Sequence, residues 1–303
     1  LDDLAAHYAQ LPEAGGLDSR CEMFVPGGLN DQTVLDLACR RGLGVYKLSD
    51  HVGPAGRVIG VDWREPFIER AREGEAHAVE KNKLTKSNME FVVAYPEMID
   101  QIGIEEGSLD YVYVNSALNL FYDPAYVIKL IGRLLVPGGK LVCQTVLATT
   151  PRDKQVSAEA RAIGNVVQAA PNRKNFALWL HNAGMDMPTY ETLEARPIQP
   201  CDAVAADGQA PVVETDEDAR FTSCVVNVEK LRLPGLPAQG HERFSLEMGW
   251  GREMPVMTGG LDAEGDEEFS RIKEVAVVAL SDGLRSVEEV ERMQEIFARN
   301  HDE

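Results

Sequence analysis

The first 150 residues alternate short, mostly apolar β-rich runs with amphipathic helical stretches, and that alternation leaves few architectures open. The candidate strands are Thr33–Ala38, Arg57–Val61, Met89–Val93, Leu109–Asn115 and Lys140–Thr145. Runs this short and apolar are what strands buried on both faces require, so helices are expected above and below a mostly parallel sheet. Between them, Glu65 to Lys83 sets Phe67, Ile68, Ala71 and Ala78 among Glu, Arg and Lys, a helix with a polar outer face. Pro124 stands in the first turn of the next helix, Ala125–Leu135, and Pro137-Gly138-Gly139 stops it.

Beyond Thr145 the pattern loosens. Gln155–Ala169 and Lys174–Ala183 read as helices, the second closed by Gly184, and Thr189–Ala195 and Phe221–Val228 read as strands. Asp202 to Ala219 carries Asp202, Asp207, Glu214, Asp216, Glu217 and Asp218 with no basic residue, which reads as a solvated acidic loop. Pro234-Gly-Leu-Pro237 reads as a linker, and Ser286–Arg299 as a helix with a capping-box spacing from Ser286 to Glu289. The chain is therefore divided near residue 231 into a domain of residues 1–230 and an acidic C-terminal extension, 231–303, suited to a lid, a homodimer contact or a partner surface.

The formal charge of −19 over 303 residues argues against nucleic acid and anionic membrane as partners, since counterion release needs clustered Lys and Arg. The longest apolar run near the C-terminus, Val275 to Leu280, is far short of the roughly 20 residues of a membrane helix. The Leu1-Asp2-Asp3 start does not resemble a secretory signal. Five cysteines without a CxxC pair argue against a disulfide scaffold or structural zinc, so no metal site and a reducing, cytoplasmic setting are expected.

The chemistry concentrates at one turn. Val34-Leu-Asp-Leu37 runs into Ala38-Cys39-Arg40-Arg41-Gly42-Leu43-Gly44 and then a helix, at the carboxyl edge of the sheet where ligands bind. The second strand ends in Gly60-Val61-Asp62, and an acid there can take both hydroxyls of a ribose. This constellation alone fits NAD(P) or S-adenosylmethionine, and it also fits a plain βαβ unit in which Asp62 caps a helix.

The next residues narrow the choice. Leu109-Asp-Tyr-Val-Tyr-Val-Asn115, Asp123-Pro124, Arg133-Leu-Leu-Val-Pro-Gly-Gly-Lys-Leu141 and His181-Asn-Ala-Gly-Met185 occur in the order that resembles class I S-adenosylmethionine-dependent methyltransferases. The resemblance covers about residues 20–230. It is closest to the arsenite methyltransferase-like branch, at Val34–Leu37, Val58–Asp62, Asn88–Val92, Asn115 with Asn119-Leu120, and Arg220–Ser223. It implies a Rossmann-like, doubly wound, mostly parallel seven-stranded sheet, to which the C-terminal segment adds an α+β extension.

It also implies S-adenosylmethionine as cofactor, S-adenosylhomocysteine as product and a small-molecule acceptor. The cofactor contacts it implies are Asp36, Ala38, Gly42, Gly44, Asp62, Trp63, Tyr95, Asn115 and Ser116, with Cys21 and Asn119 on the substrate side. Tyr95 and Glu97 keep the branch's aromatic and acid at the adenine side. Cys21 falls where the branch has its N-terminal metal-binding cysteine, and soft thiolates suit trivalent arsenic.

Two departures shape the expectation. The branch's G-x-G-x-G turn reads here as Ala38, Arg40 and Gly42, which puts an Arg where backbone should approach the cofactor; its side chain can point to solvent or fill the methionine pocket. The other two arsenic-binding cysteines fall at Val166 and Ala219. The expected function is therefore methyl transfer to another small-molecule acceptor, with a non-catalytic relative serving as a partner subunit as the alternative. Methyl transfer needs alignment and exclusion of water more than acid–base help, so the lack of a triad or carboxylate pair is consistent with it.

Overall fold

A computed structural model describes residues 2–12, 16–17, 25, 27–186, 189–192, 198–205, 208–213 and 219–232. In chain order these form α1 (Asp2–Gln10), β1 (Gly16–Leu17), β2 (Thr33–Leu37), α2 (Leu43–Val52), β3 (Arg57–Asp62), α3 (Glu65–Lys81), β4 (Met89–Val93) and β5 (Leu109–Asn115). There follow α4 (Pro124–Leu134), β6 (Leu135–Ala148), α5 (Lys154–Ala162), α6 (Arg173–Asn182), β7 (Thr189–Thr192), β8 (Ala203–Ala205), β9 (Gly208–Gln209) and β10 (Phe221–Glu229). The main sheet has the order β4-β3-β2-β5-β6-β10-β7, and a small second sheet has the order β1-β8-β9.

The pairs among β4, β3, β2, β5 and β6 are parallel, and β10 runs antiparallel to both β6 and β7. From β2 the chain winds outward through β3 to β4, then crosses back to β5 and winds the other way. The switch of direction lies between β2 and β5, and the carboxyl ends of the strands at such a switch are where sheets of this kind bind ligands. The doubly wound, mostly parallel architecture expected from the alternating pattern is the one observed.

Alternate residues of β2 show why the strands read as apolar runs. Val34 packs with Val45 and Leu48 of α2 and Ile68 and Ala71 of α3 on one face. Leu35 and Leu37 pack with Ile128 and Ile131 of α4 and Phe176 and Leu180 of α6 on the other. Neither face meets water, so the alternation of a half-exposed strand is absent.

Several boundaries differ from expectation. β2 stops at Leu37 because Ala38 turns to a left-handed φ of 64°. β6 starts at Leu135, directly after α4, instead of at Lys140. Leu135 pairs with Leu109 and Lys140 with Tyr111, so residues 136–139 stand out of register and Pro137-Gly138-Gly139 lies inside the strand as an irregularity. The single helix expected over Gln155–Ala169 ends at Ala162. Gly164 ends it with a left-handed φ of 79°, its N–H donating to the Arg161 carbonyl and that of Asn165 to the Ala160 carbonyl. The Asn165 side chain then accepts from the N–H groups of Val167 and Gln168 while donating to the carbonyls of Pro200 and Pro211. The helix α1 has no counterpart in the sequence reading.

Apart from Leu231 and Arg232, the extension expected over 231–303 lies outside the described residues, as does Cys21. No helix among the described residues is long and apolar enough to cross a membrane.

Candidate active site

The turn after β2 sets the geometry. Ala38, Arg40 and Gly42 have φ of 64°, 53° and 78°, so all three positions of the glycine pattern keep a left-handed backbone although two carry side chains. That conformation costs an L-residue roughly 1–2 kcal/mol. At Gly42 no substitute fits, because a Cβ would lie 2.8 Å from Cβ of Ala71. The N–H of Cys39 donates to the Val61 carbonyl, and that of Gly42 to the Cys39 carbonyl. Helix α2, which holds the half-buried Gly44, starts at Gly42 without a side-chain cap, leaving its first N–H groups available to the negative end of a ligand.

Asp62 closes the other side. Its Oδ2 accepts from the backbone N–H of Arg40 at 3.0 Å and its Oδ1 from that of Arg64 at 2.9 Å. Helix α3 takes Arg64 as its N-cap residue, so Asp62 ties the turn to the strand end and does not cap the helix. Burial raises its pKa, opposed by the two N–H donors and by the Arg64 and Arg40 charges. Asp36 is also buried, and burial together with the Asp62 charge pushes its pKa up to about 8. At neutral pH it is mostly protonated, a donor beneath the turn.

The two arginines of the turn are exposed and lie over one ring. Cζ of Arg41 is 4.8 Å and Cζ of Arg40 6.0 Å from the centroid of Phe67, with Arg64 at 5.4 Å. Of the two destinations expected for Arg40, the structure gives the outward one, over α3.

The aromatic residues expected at the adenine side come together around a third ring. Tyr8 of α1 stacks on Tyr95 at 5.1 Å and 17°, and lies 4.7 Å from Trp63. Its hydroxyl is 3.0 and 2.9 Å from the two oxygens of Glu97, and Glu97 also accepts from the Asp123 N–H at 3.1 Å. Burial raises the pKa of Glu97. The indole Nε1 of Trp63 is buried without a partner. Tyr8 was not legible in the sequence; the only available signal was a short polar–apolar stretch ahead of the first strand.

Asn115 ends β5 and accepts the Ser116 hydroxyl at 3.1 Å, while Ser116 holds a φ of 56°. The Nδ2 of Asn119 donates to the carbonyls of Val146 and Val166 and its Oδ1 receives the Thr145 hydroxyl, at 1% exposure. Every hydrogen-bonding group of that amide is used in holding its loop. Cys39 is buried in the turn, Cys143 and Cys224 lie in the core, and no cluster of metal ligands occurs among the described residues.

The model of the methyltransferase domain matches residues 29–184. The chain belongs to the methyltransferase domain family. It is related to demethylmenaquinone methyltransferase of Lactococcus lactis, 33% identical over 55% of this chain and 64% of that protein. It is 27% identical to arsenite methyltransferase of Mus musculus over 70% of this chain and 54% of that one. The chain thus spans between about half and two-thirds of the length of these relatives. Among solved structures, an arsenic(III) S-adenosylmethionine methyltransferase from Chlamydomonas reinhardtii superposes with a TM-score of 0.59 at 27% identity, covering 76% of this chain and 75% of that one.

S-adenosylmethionine is the cofactor this methyltransferase family and fold imply, and the residues present fit it. The turn keeps the left-handed backbone that brings N–H groups close to a ligand, Asp62 stands at the carboxyl end of β3 beside that turn, and the Trp63 N–H is an unmet donor in the aromatic group.

Proposed function

We propose that this methyltransferase moves a methyl group from S-adenosylmethionine to a small-molecule acceptor. The observation that carries the reading is the pairing of the left-handed turn 38–42 with Asp62 across the β2–β3 edge. Asp62 receives the ribose hydroxyls, and Trp63 and Tyr95 face the adenine. The backbone from Ala38 through Gly42 to Gly44 approaches the amino-acid end, with Asp36 as donor beneath it, and Asn115 and Ser116 lie toward the reacting methyl. When bound, the cofactor would supply an activated methyl on a sulfonium, open to in-line attack by an acceptor lone pair that forms the new bond to carbon while the C–S electron pair leaves with sulfur and any acceptor proton goes to solvent. The chain's contribution is orientation and exclusion of water.

The acceptor need not be arsenite, because the arsenic-binding positions of the resemblance hold Val166 and Ala219. A cytoplasmic setting and a dimer or partner contact through residues 231–303 belong to the same proposal, the first supported by the free thiols of Cys39, Cys143 and Cys224.

Calorimetry with S-adenosylmethionine and S-adenosylhomocysteine tests the reading, with binding of both expected. Absence of binding at millimolar ligand leaves the non-catalytic alternative. Labelled methyl transfer to arsenite and to a demethylmenaquinone then compares the acceptors named by the relatives.

A further inference from the structure

Strand register puts the polar residues of the carboxyl edge on one face. Asp36 pairs with Gly60 on one side and Tyr113 on the other, and Asn115, two residues beyond Tyr113, pairs with Gln144. Side chains alternate along a strand, so Asp62, Asp36, Asn115 and Gln144 share the face that carries the turn. Gln144 lies two strands beyond β2, on the side of Asn115 away from Asp62.

Its surroundings are unlike those of its neighbours on β6. Val142 packs with Val34, Val45 and Phe91, and Val146 packs with Tyr8, Leu120 and Ala160. Gln144 lies between Val142 and Val146 on the same face of the strand. It is 1% exposed, and neither Nε2 nor Oε1 has a hydrogen-bond partner. A buried polar group left unmet costs roughly 1–3 kcal/mol, and here one amide carries two. An apolar side chain of the same length would hold the position at lower cost, so packing does not account for an amide.

The adjoining backbone is strained as well. Ser116, with its positive φ, donates its N–H to the Gln144 carbonyl at 2.7 Å. Strained backbone and unmet polar groups collect where a ligand supplies the missing contacts.

We propose that Gln144 recognises the methyl acceptor, and that the acceptor presents an uncharged hydroxyl or carbonyl, taking a hydrogen bond from Nε2 or giving one to Oε1. The inference rests on the methyltransferase reading. An amide is neutral and offers one donor group and one acceptor, the complement of an uncharged oxygen. A carboxylate or phosphate acceptor would call for Arg or Lys in its place. A soft metalloid would call for thiolates, and the cysteines nearest along β6 and β10, Cys143 and Cys224, are turned to the opposite face, among Leu35, Val112 and Ile131.

The test uses the full chain loaded with S-adenosylhomocysteine and 1-naphthol as a neutral hydroxyl probe, titrated by calorimetry into wild type and Gln144→Met. The expected result is a tenfold or greater loss of 1-naphthol affinity in Gln144→Met. S-adenosylhomocysteine affinity should stay within twofold, with a melting temperature no lower than wild type. Gln144→Asn, which keeps the amide but withdraws it by one methylene, is titrated beside it and should show the same loss. Equal affinity for 1-naphthol, no binding of it to wild type at millimolar concentration, or a lower melting temperature for the Met variant overturns the proposal. Failure of S-adenosylhomocysteine to bind wild type overturns the methyltransferase reading instead. The 1-naphthol comparison is then made on the free chain, where a tenfold gap still supports a Gln144 site and no gap removes it.

Discussion

The hydroxyl of Tyr8 meets the carboxylate of Glu97 across 89 residues of sequence, and through that contact α1 is tied to the aromatic group at the candidate adenine side. The Asp123 N–H on the same carboxylate extends the tie to the start of α4. One buried acid thus fixes an N-terminal helix, a loop after β4 and the helix after β5.

Tyr8→Phe keeps the stacking on Tyr95 and removes the donor to Glu97 together with the acceptor of the Tyr122 N–H. Glu97 is then left buried with less compensation, which should cost roughly 1–3 kcal/mol. Urea unfolding measures it, and a loss under about 0.5 kcal/mol would show that Glu97 is held by its backbone donors alone.

Ala38→Gly should stabilise the protein by about 1 kcal/mol, the left-handed cost of a Cβ less the added backbone entropy of glycine. Gly42→Ala should do the reverse, since it combines a φ of 78° with a Cβ 2.8 Å from Ala71. Thermal melts of the two variants should therefore move in opposite directions. A drop for Ala38→Gly would mean the buried methyl contributes more than the strain removes.

Asp62→Asn keeps the shape of the side chain but offers one accepting oxygen where two backbone N–H groups now bond. Either Arg40 or Arg64 then faces an NH2 group, at a cost of roughly 1–3 kcal/mol, and the turn loosens. Calorimetry should find S-adenosylhomocysteine affinity reduced at least tenfold. Unchanged affinity would remove the ribose assignment.

Asp36 gives the stability a pH dependence of defined sign. Its folded pKa of about 8 lies above the value of 3.8 for the free side chain, so between those limits the native state holds more protons than the unfolded chain. Stability contributed by this group is complete below about pH 4, falls as pH rises and is gone above about pH 8. Denaturant unfolding of wild type should show lower stability at pH 8.5 than at pH 5, and Asp36→Asn should flatten that difference. An unchanged slope would place the dependence on Asp62 or Glu97, whose pKa values burial also raises.

The elements that were legible are those whose signal is local. Val34-Leu-Asp-Leu37 and Val58–Asp62 read as buried strands because both faces are covered, and Pro124 marked the first turn of α4 because it needs no N–H there. The early start of β6 had its cause at a distance, because Leu135 finds Leu109, whereas the helix over Gln155–Ala169 is cut short locally by the left-handed turn at Gly164.

The site divides along the same line. Sequence alone put the turn and Asp62 at strand ends, and the family resemblance singled out the aromatic and acid at residues 95 and 97. It also determined that Ala and Arg replace two glycines of the turn. Only the tertiary structure decided that this turn keeps its left-handed backbone, because the acceptor that holds Arg40 in place is Asp62 on the neighbouring strand. It likewise decided that Asn119 is spent on its own loop, that Tyr8 joins Trp63 and Tyr95, and that Gln144 stands unmet beside Asn115. Those four outcomes depend on which groups meet across strands and loops far apart in sequence, and whether a polar group is satisfied is settled only when its neighbours are in place.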